Sequence, residues 1–252
     1  MNLLAFDTGT DVMSVAVART VGGQVQLWQH TAAGGAKAST DLIPAILELL
    51  SQADLRLADL QAICFGAGPG SFTGLRTACS VAQGLALGAD LPVLPIDTLL
   101  AVAEDARRMR GAPVQDDVWV AMDARMGEIY AAHALFGDGG WQWLTTPMLC
   151  TPQHLTERWR ERPPVVVAGS ALSAFGPALP CGQAHVLPDA LPRATAMLPL
   201  AAALWDRGGA VDAALALPVY LRDKVAQTMA ERAAIKLAAA ATAGELVRDA
   251  TP

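Results

Sequence analysis

The chain has 252 residues, a formal net charge of −6 and a composition that is 53% hydrophobic. That length can bury a large core, as one big domain or two of ordinary size, and the acidic balance argues against an autonomous nucleic-acid binder, which needs a basic footprint. No apolar run is long enough to span a bilayer, MNLLAFDTGT lacks the features of a signal peptide, and Cys64, Cys79, Cys150 and Cys181 show no paired spacing, so a cytoplasmic protein with buried thiols is expected.

Leu3 to Phe6, Met13 to Ala18 and Gln24 to Trp28 read as three antiparallel strands, the last two joined at Gly22-Gly23, a good hairpin turn. Ser39 to Gln52 follows as a helix, with Ser39, Thr40 and Asp41 as cap candidates and Pro44 near the first turn. Its apolar residues form two stripes, Leu42, Ile46, Leu49 and Ile43, Leu47, Leu50. One stripe covers a sheet; the second implies another neighbour. Next come a buried strand at Ala62 to Phe65, the glycine-rich stretch FGAGPGSFTGLR, a helix from Leu75 to Ala89 and a strand from Val93 to Ile96. A meander that precedes βα crossovers is a distinctive opening.

The pattern then restarts. Val118 to Met122 and Ile129 to Leu135 read as a second hairpin, Pro152 to Trp159 as a helix, Val165 to Ala168 as a buried strand and Met197 to Trp205 as a helix. The polar segment from Arg107 to Asp117, with Gly111 and Pro113, reads as the boundary between halves. The expected division is a first lobe over 1–106, a second over 107–212, and a terminal segment over 213–252 that packs back on the first lobe. From about 229 that segment becomes an alanine-rich tail.

Two loops invite chemistry. Asp7, Thr8, Gly9 and Thr10 form the tip between the first two strands, where an acid and a glycine turn suit a phosphate or, more plainly, an Asx turn. Gly66, Gly68, Gly70, Ser71 and Thr73 form the glycine loop, which ends at a helix with Ser71 or Thr73 as its cap. A glycine turn before a helix suits an anion, and it equally suits close packing. The stretch carries neither GK[ST] nor GxGxxG. Beyond it, small residues line up as Gly74, Ala78, Ala82 and as Ser80, Gly84, Gly88, which favours helix packing as the loop's purpose.

Four blocks in order, FDTGT, FGAGPGSFTGLR, MDARMGEIY and PVYLRDKVAQT, closely resemble the TsaB family, from Met1 to about Thr228. The resemblance implies an α/β ASKHA fold, the actin-like architecture of two lobes, each a mixed sheet flanked by helices. It implies a non-catalytic partner of TsaD in forming threonylcarbamoyladenosine in tRNA beside the anticodon. It implies no cofactor on this chain alone. The complex uses ATP, through TsaE and in making the threonylcarbamoyl-adenylate, and holds a metal in TsaD. The implied partners are TsaD, TsaE, tRNA through the complex and, when TsaD is absent, a second copy of the chain; no membrane is involved. In the family the two helices after the first hairpin form the shared interface. That places it here on Leu42, Ile46 and Leu49, and on Leu75, Arg76, Ser80, Gln83, Gly84 and Gly88.

The residues agree with that implication. His30, His133, His154 and His185 lack the HxxxH spacing of a metal pair, so no metal is expected. The second turn, Asp123 to Glu128, carries Arg125 and Met126 where a phosphate turn needs room, and VVVAGSALSAF offers only Gly169 for an adenosine. Asp7 to Thr10 is then a vestigial phosphate loop, and Asp123 with Arg125 a structural pair. The rival reading is an autonomous ATPase or phosphotransferase, or a glycoprotease-type metalloprotease.

Overall fold

The computed structural model describes residues 1–222; the alanine-rich tail read from 229 lies outside the described residues. The chain opens with β1 (Leu3–Asp7), β2 (Val12–Val21) and β3 (Gln24–Ala33). Gly22 and Gly23, at φ of 57° and 82°, make the hairpin turn between the last two. Then come α1 (Ala38–Gln52), β4 (Ala62–Gly68), α2 (Phe72–Ala89), β5 (Val93–Asp97) and α3 (Thr98–Met109). The second half runs β6 (Asp116–Asp123), β7 (Ile129–Gly137), β8 (Gly140–Cys150), α4 (Pro152–Glu161), β9 (Val166–Ala168), α5 (Ala171–Phe175), β10 (His185–Leu187) and α6 (Ala194–Asp206).

Each half builds one mixed sheet, with the same topology. The first has the order β3-β2-β1-β4-β5 and the second β8-β7-β6-β9-β10. In each, a three-stranded antiparallel meander is extended by two parallel strands. This is the two-lobed ASKHA-type fold.

Strand periodicity sends alternate side chains to opposite faces. Leu4 and Phe6 of β1 join α1 and α2 in one core, whereas Leu3 and Ala5 pack with Met197, Leu198 and Ala201 of α6 in another. In the second sheet, Val118, Val120 and Met122 meet Leu99, Val102 and Ala103 of α3, and Trp119 and Ala121 meet Leu155 and Trp159 of α4. Helix α6 therefore lies on the first sheet, although it follows the second in sequence. After α6 the chain runs back along α2. The Val219 amide donates to the Ala67 carbonyl at 2.7 Å, and Ala216 offers its carbonyl to Cys79 Sγ and Gln83 Nε2.

Helix α1 begins differently from its sequence signals. A 3-10 turn at Gly35–Lys37 runs straight into it, so Lys37 is already helical and the cap has no side-chain bond. The expected caps lie inside the helix, where Ser39 and Thr40 donate to the Ala36 and Lys37 carbonyls. Helix α2, by contrast, starts at Phe72 with Ser71 Oγ accepting from the Gly74 amide at 3.2 Å.

Candidate functional site

A cleft of about 380 Å³ opens between the two sheets at the carboxyl ends of β1, β4, β6 and β9, where α/β folds bind ligands. Gly9, Thr10 and Asp11 line it from one lobe with Gly70 and Ser71; Asp123, Ala124, Arg125, Ser170 and Ser173 line it from the other. Asp7 and Thr8 do not.

Both are fully buried, and the glycine loop is what buries them. A Cβ on Gly66 would lie 1.8 Å from Asp7 Oδ2, and one on Gly74 would lie 1.9 Å from the Thr8 carbonyl oxygen. Hydrogen bonds fasten the two loops together: the Ser71 amide to the Gly9 carbonyl at 2.7 Å, and Thr8 Oγ1 to the Gly74 carbonyl at 2.7 Å. On the other side, a Cβ on Gly68 would meet the Val219 carbonyl oxygen at 2.4 Å. The glycines make room for neighbouring chain segments. Thr73 is exposed and takes no part in capping.

Asp7 accepts from the Gly9 amide at 2.8 Å through Oδ1 and from Thr98 Oγ1 at 3.4 Å through Oδ2. These bonds favour the charged form, but burial outweighs them and pushes the carboxyl up to about 7. Thr98, which sequence reading did not single out, also accepts from the Gly68 amide at 3.2 Å. Its signal was IDT at a strand end, where Asp97 caps α3.

In the second turn, Arg125 pairs with Asp123 at 3.2 Å, as its spacing implied. Sequence did not show that Arg125 also reaches Asp11 in the opposite lobe. That pair is largely solvent-exposed, so its worth is small. In a double-mutant cycle, Arg125→Ala and Asp11→Ala should show a coupling below about 1 kcal/mol that fades in molar salt; a larger, salt-insensitive coupling would contradict this. Gly169 is explained by packing, since a Cβ there would lie 2.5 Å from the Ala121 carbonyl oxygen.

The two helices require a correction. Leu42, Ile46 and Leu49 are buried in the core of the first lobe, and so is Leu75. They face their own sheet and offer no side chain to a partner. The outward stripe of α1 is Ile43 and Leu47, 44% and 57% exposed. On α2, Gly74, Ala78 and Ala82 turn inward, while Arg76, Ser80, Gly84 and Gly88 turn outward; Gln83 is half-buried on the Ala216 carbonyl. Arg76 lies 3.8 Å above the Phe72 ring and donates to Tyr220 Oη at 3.2 Å.

His133 is buried, stacked on Trp119 and 2.6 Å from Asp117; His30, His154 and His185 are exposed. Among the described residues, no three His, Cys, Asp or Glu side chains cluster to hold a metal ion. None of the described helices is long and apolar enough to cross a membrane.

A paired-sheet ASKHA architecture with a narrow inter-lobe cleft defines the class. The chain is 37% identical over 235 residues to the tRNA threonylcarbamoyladenosine biosynthesis protein TsaB of Escherichia coli (strain K12), a match covering 90% of this chain and 96% of that one. It is 33% identical to the protein of that name in Haemophilus influenzae, over 89% of this chain and 95% of the relative. Among solved structures, YeaZ from Pseudomonas aeruginosa matches with a TM-score of 0.77 at 33% identity, covering 87% of this chain and 99% of that one. The family model described as TsaD, tRNA N6-adenosine threonylcarbamoyltransferase, matches residues 29–156. The chain belongs to the TsaB family.

Proposed function

We propose that this chain is an accessory subunit in threonylcarbamoyladenosine synthesis on tRNA, one that binds and activates a TsaD-type catalytic subunit and does not itself catalyse the transfer. The observation that carries the reading is the match, over nearly the whole chain, to relatives named for that biosynthesis. The cleft supports it. The carboxylate of the first turn is sealed beneath Gly9 and Gly66, and Arg125 ties the two facing turns together. A nucleotide in the cleft would have no access to that carboxylate, which does not line it. ATP consumption and the metal therefore belong to the other subunits, TsaE and TsaD, in this reading.

The partner surface lies on the outer faces of α1 and α2, which cover the same face of the first sheet. Ile43, Leu47 and Leu87 are exposed there beside Ser80, Gly84 and Gly88. The small residues let a second helix approach closely, and the three apolar side chains give it something to bury. The same surface serves a second copy of the chain when TsaD is absent.

Gly84→Arg tests this placement. Nothing lies within 4 Å of a Cβ at that position, so the monomer should fold normally by circular dichroism. A bulky charge in a helix–helix contact should lower affinity for TsaD and for a second copy by at least about a hundredfold. A folded variant that still self-associates and captures TsaD would place the surface elsewhere. Omitting each component in turn from a modification assay tests the division of labour. Transfer or ATP turnover by this chain alone would favour the enzyme reading.

A further inference from the structure

A second cavity, of about 470 Å³, lies where the end of β5 meets α3, α6 and the β7–β8 turn. That volume is in the range of small-molecule sites. Leu100, Phe136, Trp141, Leu200 and Leu204 give it apolar walls. The aromatic wall is held rigidly. Trp141 Nε1 donates to Glu104 Oε2 at 3.0 Å, and Arg107 forks onto both Glu104 oxygens at 2.9 and 3.0 Å. The same guanidinium lies 4.0 Å over the Phe136 ring, which meets Trp141 edge to face at 5.2 Å. Glu104 and Arg107 thus satisfy each other, and a fixed wall spares a ligand the cost of ordering it.

Asp97 is different. Its Oδ1 accepts from the Leu99 and Leu100 amides at 2.8 and 3.1 Å, and no described residue donates to its Oδ2. Arg207 stands at the exposed rim, where solvent screens it. We propose that this cavity binds a small primary amine with a flat apolar body, its ammonium on Asp97 Oδ2 and its ring against Trp141, Leu200 and Leu204. Burial pushes the Asp97 carboxyl up to about 6, so the carboxylate is charged at neutral pH yet short of compensation. An ammonium supplies that compensation, and an anion does not.

Phenethylamine is a suitable probe, with phenylacetate as its anionic counterpart, each titrated into the intact chain by calorimetry and ligand-observed NMR. Phenethylamine should bind with a Kd of about a millimolar or below, and phenylacetate should not bind. Asp97→Asn keeps a good helix cap and removes the charge; it should weaken binding at least about tenfold. Ala203→Trp fills the cavity from its exposed rim without touching Asp97 and should abolish binding, with circular dichroism unchanged in both variants. No phenethylamine binding, equal binding of phenylacetate, or undiminished binding in either folded variant would overturn the proposal.

Discussion

Gly74→Ala should be among the most damaging single methyl additions to this protein. The new Cβ would lie 1.9 Å from the Thr8 carbonyl oxygen and 2.6 Å from Ser71 Oγ. Neither can yield cheaply. Thr8 is fully buried and its hydroxyl is bonded to the carbonyl of residue 74 itself, while Ser71 Oγ caps α2. Overpacking ordinarily costs about 1–3 kcal/mol, and a clash with fixed backbone belongs at or beyond the top of that range. The better helix propensity of alanine returns at most about 1 kcal/mol. Gly84→Ala is the control: it lies in the same helix with open space around it, so it should gain up to about 1 kcal/mol. Urea midpoints measure both. Equal midpoints for Gly74→Ala and the parent protein would mean that the two loops do not interlock as described.

The second large effect is Asp7→Asn. Burial raises the Asp7 carboxyl from 3.8 to about 7 in the folded chain. The folded state then binds the proton more tightly than the unfolded one. Its contribution to stability is full below pH 4, falls between about pH 4 and 7, and levels off above. A shift of that size corresponds to about 4 kcal/mol at neutral pH. Asparagine has the same shape, still accepts from the Gly9 amide through Oδ1, turns an NH2 donor toward Thr98 Oγ1 where the carboxylate accepted at 3.4 Å, and carries no charge to desolvate. The variant should therefore match the parent near pH 4 and exceed it increasingly up to pH 7–8. Asp97 and Asp105 are also raised by burial, but both proteins share them and the difference cancels. A gain that stays constant with pH, or a loss at pH 8, would show that the carboxylate is compensated by something other than its two hydrogen bonds.

Asp7 is a residue that the sequence marked for a phosphate turn, whereas Gly74 was read as one of a line of small residues for helix packing. The alternation of glycines in FGAGPGSFTGLR signals that something approaches the backbone closely, but it does not say what. Sequence distance hides the answer, because Asp7 and Val219 stand far from the loop along the chain. The opening meander with its crossovers was legible, since strands and turns carry local signals, and the second half was read as an echo of it from a hairpin, a helix and one buried strand. Four elements were missed: α3, β8 and the short α5 and β10, the last two being only five and three residues long. Helix α3 carries Glu104 and Asp105 among its buried residues, which makes its inner face look like a solvated one until Arg107, Trp141 and Arg193 are seen to satisfy them. Strand β8 alternates only weakly because it is a sheet edge and contains Pro147. On α1 the second stripe was read as Ile43, Leu47 and Leu50, but Leu50 is buried with Leu42, Ile46 and Leu49, so only Ile43 and Leu47 are left on the outer face. Leu42 and Ile46 prove to be inward, packed in one core with Leu4, Phe6, Val15 and Val17 of the first sheet.

Helix α6 and the segment from Ala213 to Val219, both packed on the first lobe, set an order of events during synthesis. The strands of the second sheet are all made by Leu187, so that lobe has its full set of strands while the first still lacks one covering helix. The first half of the chain must wait at the ribosome exit with Leu3, Ala5 and Cys64 uncovered until Met197 and Ala201 emerge. Gly68 waits longer still, for Val219. The amino-terminal lobe is thus the last to be finished, and a chain interrupted anywhere before residue 219 leaves the glycine loop without its outer wall.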